Sequence, residues 1–161
     1  MNRQLAWRYV VEAYQTCNQK YSGMMSRFDL TSSQFDVMLV IESLDKEATP
    51  KRVAEGLLVT KANITSVTRR LLERGLIAQT KNAQDKRSIH FHLTPQGTAL
   101  LKQAKAAARQ FVEVQLAPFS GEEVALVGSL MQRMRGHLQS EHFSQSLEQL
   151  MADQAQEQQY D

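Results

Sequence analysis

The stretch TKANITSVTRRLLERGL, residues 60–76, admits few structures. Thr60 is a residue type that caps a helix start, Gly75 is one that ends a helix in a left-handed turn, and Ile64, Val67, Leu71 and Leu72 between them fall on one stripe. Such a helix must lie on a core. Its opposite face carries Lys61, Ala62, Asn63, Thr65, Ser66, Arg69 and Arg70, with no acid before Glu73. A helix that needs only solvation commonly spaces Glu and Lys four residues apart, each pair adding about 0.2–0.5 kcal/mol. Short polar groups followed by cations make a different surface. It can sink into the major groove of DNA, where the first residues of a helix, from Thr60 on, reach base edges and the cations, Arg74 at the helix end among them, meet phosphates or guanine.

The flanking residues narrow the architecture. Thr49 and Pro50 open a short helix whose Val53, Ala54 and Leu57 face inward, and Leu58, Val59 and Thr60 join it to the helix above, which is the helix-turn-helix pattern. LIAQTK and SIHFHLT follow as two strands around NAQDKR. A ribbon after a recognition helix is a wing. Arg87 is the candidate for entry into the minor groove, where narrow walls concentrate negative potential, with Lys86 beside it and Asp85 placed to hold Arg87 or the turn. His90 and His92 share a strand face, but two histidines without a third nearby ligand make a poor metal site, and a solvent-facing strand accounts for them.

Upstream, Thr31 and Gln34 form a capping box ahead of Phe35, Met38, Leu39, Ile41 and Leu44. Residues 3–26 spread Leu5, Trp7, Tyr9, Val10, Val11, Tyr14, Cys17, Tyr21, Met24 and Met25 over more than one helical face. Downstream, Pro95 begins a helix with Leu100, Leu101, Ala104, Ala108, Phe111 and Val112 in register, and Ser120 with Glu123 caps a last one running through Val124 to Leu138. The predicted class is mainly α: a winged helix-turn-helix with a two-stranded β wing and long terminal dimerisation helices. Within what is a single domain overall, residues 30–99 form the winged module, 1–29 and 100–145 the helical dimerisation region, and 146–161 a polar tail, frayed or disordered. Apolar faces this wide cannot all be buried in one 161-residue subunit, so an intertwined dimer is expected, its two recognition helices about 34 Å apart on a pseudo-palindrome.

Charge supports this division. The net charge is only +2, yet residues 50–99 hold nine Lys and Arg against three acids, while residues 141–161 carry five acids and no Lys or Arg. A basic block in a neutral frame is the footprint of a phosphate-binding face. The single cysteine, Cys17, cannot form an internal disulfide, and with no secretory leader or membrane span expected, the location predicted is cytoplasmic. Catalytic motifs are missing, including G-x-S-x-G, a phosphate-cradling glycine loop and H-E-x-x-H, so no enzyme and no cofactor is expected. A winged helix that binds protein instead of DNA is the competing class, and the lack of exposed aromatics or Leu on the recognition face weighs against it.

LTSSQFDVMLVI, VAEGLLVTKANITSVTRRLLERGLI and DKRSIHFHLTPQGTALL together resemble the MarR family of winged-helix regulators over roughly residues 5–140. The family's wing commonly reads Asp-Arg-Arg, and Asp85, Lys86 and Arg87 keep its first and third members. The resemblance implies a homodimeric transcription factor, most often a repressor, whose partners are an operator duplex and a small-molecule effector such as an aromatic carboxylate or phenol, with no membrane. For the effector it directs attention to Trp7, Tyr14, Gln34, Phe35 and Met38, although core packing also explains each. The family's peroxide sensors carry their thiol nearer the position of Trp7 than that of Cys17, so a redox role for Cys17 is the lesser alternative.

Overall fold

Helix ends in this chain fall where backbone groups find side-chain partners. Asn2 accepts from the Leu5 amide at 2.8 Å and starts α1 (Arg3–Met25). The Thr31 hydroxyl accepts from the Gln34 amide while the Gln34 side chain accepts from the Thr31 amide, the reciprocal box that starts α2 (Ser32–Leu44). Thr49 accepts from the Arg52 amide at the head of α3 (Pro50–Leu57). Thr60 occupies the N-cap of α4 (Lys61–Glu73) with extended backbone but no side-chain cap bond, and Gly75, at φ +65°, turns the chain out of it. Strands β1 (Ile77–Lys81) and β2 (Ile89–Leu93) pair antiparallel, Ile77 opposite Leu93 and Lys81 opposite Ile89. Then come α5 (Pro95–Leu116), α6 (Gly121–Leu138) and α7 (Glu141–Glu157). The computed structural model describes residues 2–57, 59–81 and 89–157.

Two compact units divide the chain, Met1–Val112 and Glu113–Asp161. In the first, Met38 and Ile41 of α2, Val53 of α3, Ile64 and Leu71 of α4, Ile77 of β1 and Leu101 of α5 are essentially removed from water. Burying each such side chain contributes about 1.5–3 kcal/mol, which holds three short helices and a ribbon together as one core. Only the end of α1 takes part, through Met25 and the partly buried Tyr21 and Met24; Trp7 and Tyr14 remain 57% and 69% exposed. The hairpin is fixed at its base. The Phe91 amide donates to the Ala48 carbonyl at 2.8 Å, and His90 Nδ1 lies 2.7 Å from the Lys46 carbonyl, so both bind the strand to the turn after α2. A Lys105 to Glu42 ion pair at 2.6 Å joins α5 to α2.

Gly97 marks the tightest approach in this unit. A Cβ there would sit 1.9 Å from the Leu76 carbonyl oxygen, so the first turn of α5 lies directly on the backbone that leads from α4 into β1. Thr94 reinforces the joint, its hydroxyl donating to the Gly75 carbonyl at 2.7 Å and accepting from the Gly97 amide at 3.0 Å.

The second unit is a helical hairpin. Ser120 and Glu123 form the expected capping box, and the Ser120 hydrogen bonds lower the Glu123 carboxyl below its ordinary range. His137 meets Phe143 edge-on at 5.4 Å between ring centres, closing α6 against α7. Here the sequence expectation needs correction, since the tail assigned to 146–161 is helical through Glu157, the last described residue. Phe143, Leu147, Leu150 and Met151 recur at helical spacing within a polar composition, and that stripe is why the segment folds as a helix. Leu126, Val127, Leu130, Met131 and Leu138 on α6 and Leu147, Leu150 and Met151 on α7 are exposed. No described helix is long and apolar enough to cross a membrane.

The joint at Gly97 yields a prediction. Gly97→Ala is expected to cost at least about 2–3 kcal/mol of folding stability, since the obstructing atom is backbone and cannot rotate away. Urea denaturation checks this, and a loss below about 1 kcal/mol would show that the joint yields.

Candidate nucleic-acid interface

Helix α4 presents two unlike sides because its apolar positions are spent on the core. Ile64 and Leu71 are buried, Val67 and Leu72 are partly buried, and the intervening Thr68 is buried with its hydroxyl satisfied by the Ile64 carbonyl at 2.9 Å. On the outer side Ala62, Asn63, Thr65, Ser66, Arg69 and Arg70 are all exposed, as the spacing predicted, and Lys61 opens the same helix. Arg69 Nε stands 3.8 Å from Glu73 Oε1, a loose and solvent-exposed pair of small energy. Arg70 has no ion-pair partner among the described residues.

Arg74 departs from the expectation that grouped it with the DNA-facing cations. Its Nη2 lies 3.0 Å from Asp29 Oδ2 and its Nη1 donates to the Asp29 carbonyl oxygen, so the guanidinium is engaged at the corner between α1 and α2. Asp85, Lys86 and Arg87 lie outside the described residues.

Clefts flank α4 on either side. One, of about 620 Å³, runs between α4 and the hairpin and is lined by Thr49, Pro50, Lys51, Thr65, Thr68, Arg69, Gln79 and Phe91 among others. The other, of about 340 Å³, separates α4 from α2 and brings Asp36 and Ser33 beside Asn63 and Ser66. Sequence reading missed Asp36. Burial raises its carboxyl above the ordinary range. Burial, then the charges of Asp36 and of half-buried Cys17, raise the Tyr21 hydroxyl, whose ring meets Phe35 and Phe111 edge-on with centres 6.3 and 5.3 Å away.

The five residues expected around an effector do not gather into one pocket. Phe35 and Met38 are core residues, and Gln34 is buried in the capping box with its side chain on the rim of a separate cleft beside Thr31. Trp7 and Tyr14 stand exposed on α1. Apolar spacing on α2 served packing. His90 is bonded to the turn after α2 and His92 is exposed, and the described residues hold no cluster of three metal-ligating side chains.

Two short helices, an outward polar helix and a paired ribbon define a winged helix-turn-helix protein. Residues 28–88 match the family model described as MarR family. An HTH-type transcriptional regulator of Bacillus cereus is 34% identical over 100 residues, covering 62% of this chain and 65% of the relative. The chain thus matches a little under two thirds of that relative's length. Among solved structures, a MarR-like transcription regulator from Bacillus cereus superimposes with a TM-score of 0.75 at 22% identity, covering 86% of this chain and 99% of that one. The MepR–DNA complex of S. aureus does so with a TM-score of 0.75 at 20% identity, again covering 86% and 99%. These two likenesses establish the fold.

Asp36 supplies a pH signature. Its folded-state pKa is raised, so the folded protein holds the proton more tightly than the unfolded chain, and the stabilisation from protonation is absent at neutral pH and grows as pH falls through the raised value. Asp36→Asn is therefore expected to be more stable than the parent at pH 7, with the difference shrinking on acidification toward pH 4. Parallel urea melts across that window check it; a gap that does not vary with pH excludes Asp36 as the source.

Proposed function

We propose that this chain is a homodimeric transcriptional regulator that binds double-stranded DNA sequence-specifically and acts as a repressor, not as an enzyme. The observation that carries this reading is the outer side of α4, a row of short polar side chains followed by Arg69 and Arg70 on a helix whose other side is core. Asn63, Thr65 and Ser66, near the helix start, reach base edges, while Lys61, Arg69 and Arg70 meet phosphates or guanine. Ala62 permits close approach to the groove wall, and Thr60 turns the chain into it. The expectation that Lys86 and Arg87 reach the duplex from the connection between β1 and β2, with Asp85 in support, is part of the proposal. The relative's name and the MepR–DNA complex support it at the level of the domain.

A second copy of the chain covers the apolar side chains left exposed on α1, α6 and α7, with residues 1–29 and 100–145 as the pairing region and 30–99 as the DNA-binding module. Two recognition helices then address a pseudo-palindromic operator, in the cytoplasm where such a regulator works. A small aromatic or phenolic effector releases the duplex; the clefts beside α4 have the capacity for one.

Selection of duplexes from random DNA, followed by titration of the selected operator across ionic strengths, tests the reading. Arg69→Gln and Arg70→Gln are each expected to flatten the plot of log affinity against log salt by about 0.9, the signature of one lost phosphate contact. Asn63→Ala and Ser66→Ala are expected to relax preference at single base positions by about 1–3 kcal/mol while leaving that slope alone. Absence of any selected duplex, or slopes unmoved by both arginine changes, overturns the assignment of α4.

A further inference from the structure

Arg74 and Asp29 are 45 residues apart and meet where the last turn of α4 touches the corner joining α1 to α2. The Arg74 side chain is 30% exposed, which sets it apart from the open Arg69 and Arg70 on the same helix. Its guanidinium grips two parts of one residue, the carboxylate through Nη2 and the backbone carbonyl through Nη1. The planar fork serves the two oxygens from two separate nitrogens, where a lysine ammonium would have to reach both from one.

Asp29 is held in turn by its own backbone. It has φ +54° and ψ +36°, a left-handed conformation that Asp and Asn tolerate better than other side chains, and its amide donates to the Ser26 carbonyl at 3.0 Å. The anchor is thus a fixed turn. The Asp29 side chain is 94% exposed, so the ion pair adds little to folding stability. What it restrains is orientation, since Arg74 caps the C-terminal end of the helix whose other end carries Asn63, Thr65 and Ser66.

We infer that the Asp29–Arg74 pair is a clamp that sets the tilt of α4 against the α1–α2 corner, making Arg74 a positioning residue for DNA recognition and not a phosphate contact. This rests on the reading that α4 enters the groove. The clamp differs from a plain charge effect in sign. Asp29→Asn removes a negative charge near a polyanion and, on electrostatics alone, strengthens binding. Under the clamp it weakens binding.

The experiment titrates the duplex selected by the unsubstituted protein with that protein, Asp29→Asn, Arg74→Gln and the double variant, by fluorescence anisotropy at several KCl concentrations. Thermal melts confirm that each is folded at the titration temperature. The expected result is a loss of operator affinity of about three- to tenfold in both single variants, an unchanged salt slope, and a double variant no weaker than either single one. Asn at position 29 keeps its tolerance for the left-handed turn, so weakening there reports the lost carboxylate. A slope reduced by about one in Arg74→Gln, tighter or equal binding by Asp29→Asn, or additive losses in the double variant overturns the clamp. Failure of the unsubstituted protein to bind any duplex overturns the DNA reading itself, and the clamp with it.

Discussion

Burial of Ile64 and Leu71 in the core shared with α2 and α3 decides which way the rest of α4 faces. Turning the helix about its axis would lift these side chains into water at a cost of about 1.5–3 kcal/mol each, and would expose Thr68, whose hydroxyl is already satisfied within the helix. The outward row from Ala62 to Arg70 therefore holds a defined direction without needing bonds of its own. Function at such a surface relies on the opposite side of the helix.

The basic block looks different once its charges are placed. Residues 50–99 carry nine cations in sequence, but Arg52 bonds Glu47, Lys51 lies 3.8 Å from Glu55, and Arg74 is taken by Asp29. These pairs spend positive charge on local order. Arg70 keeps its charge toward solvent, and Arg69 shares its own only loosely with Glu73. A count of cations along the chain overstates the field available to a ligand, and their arrangement around α4 describes it better.

What was legible in sequence was local. Capping boxes at Thr31 with Gln34 and at Ser120 with Glu123, the glycine exit at Gly75 and the two faces of α4 depend on residues within a turn or two of one another. Partnerships across the chain were not legible. No periodicity announces that Arg74 will find Asp29, or that Asp36 will line a cleft beside Asn63. Composition misled at the chain's end, where a glutamine-rich tail concealed the stripe of Phe143, Leu147, Leu150 and Met151. On α2, core packing and a helix cap account for Gln34, Phe35 and Met38, a role the sequence already allowed them.

The close seat of Gly97 on the Leu76 carbonyl has a mechanical meaning. With Thr94 bonded to both sides of that seat, the root of the ribbon and the opening turn of α5 behave as a welded corner. Swinging the ribbon outward would drag α5 along, and through Lys105 and Glu42 it would pull on α2 as well. A displacement at the root of the ribbon would therefore have to be shared by the first turn of α5, where a looser joint would leave the two independent.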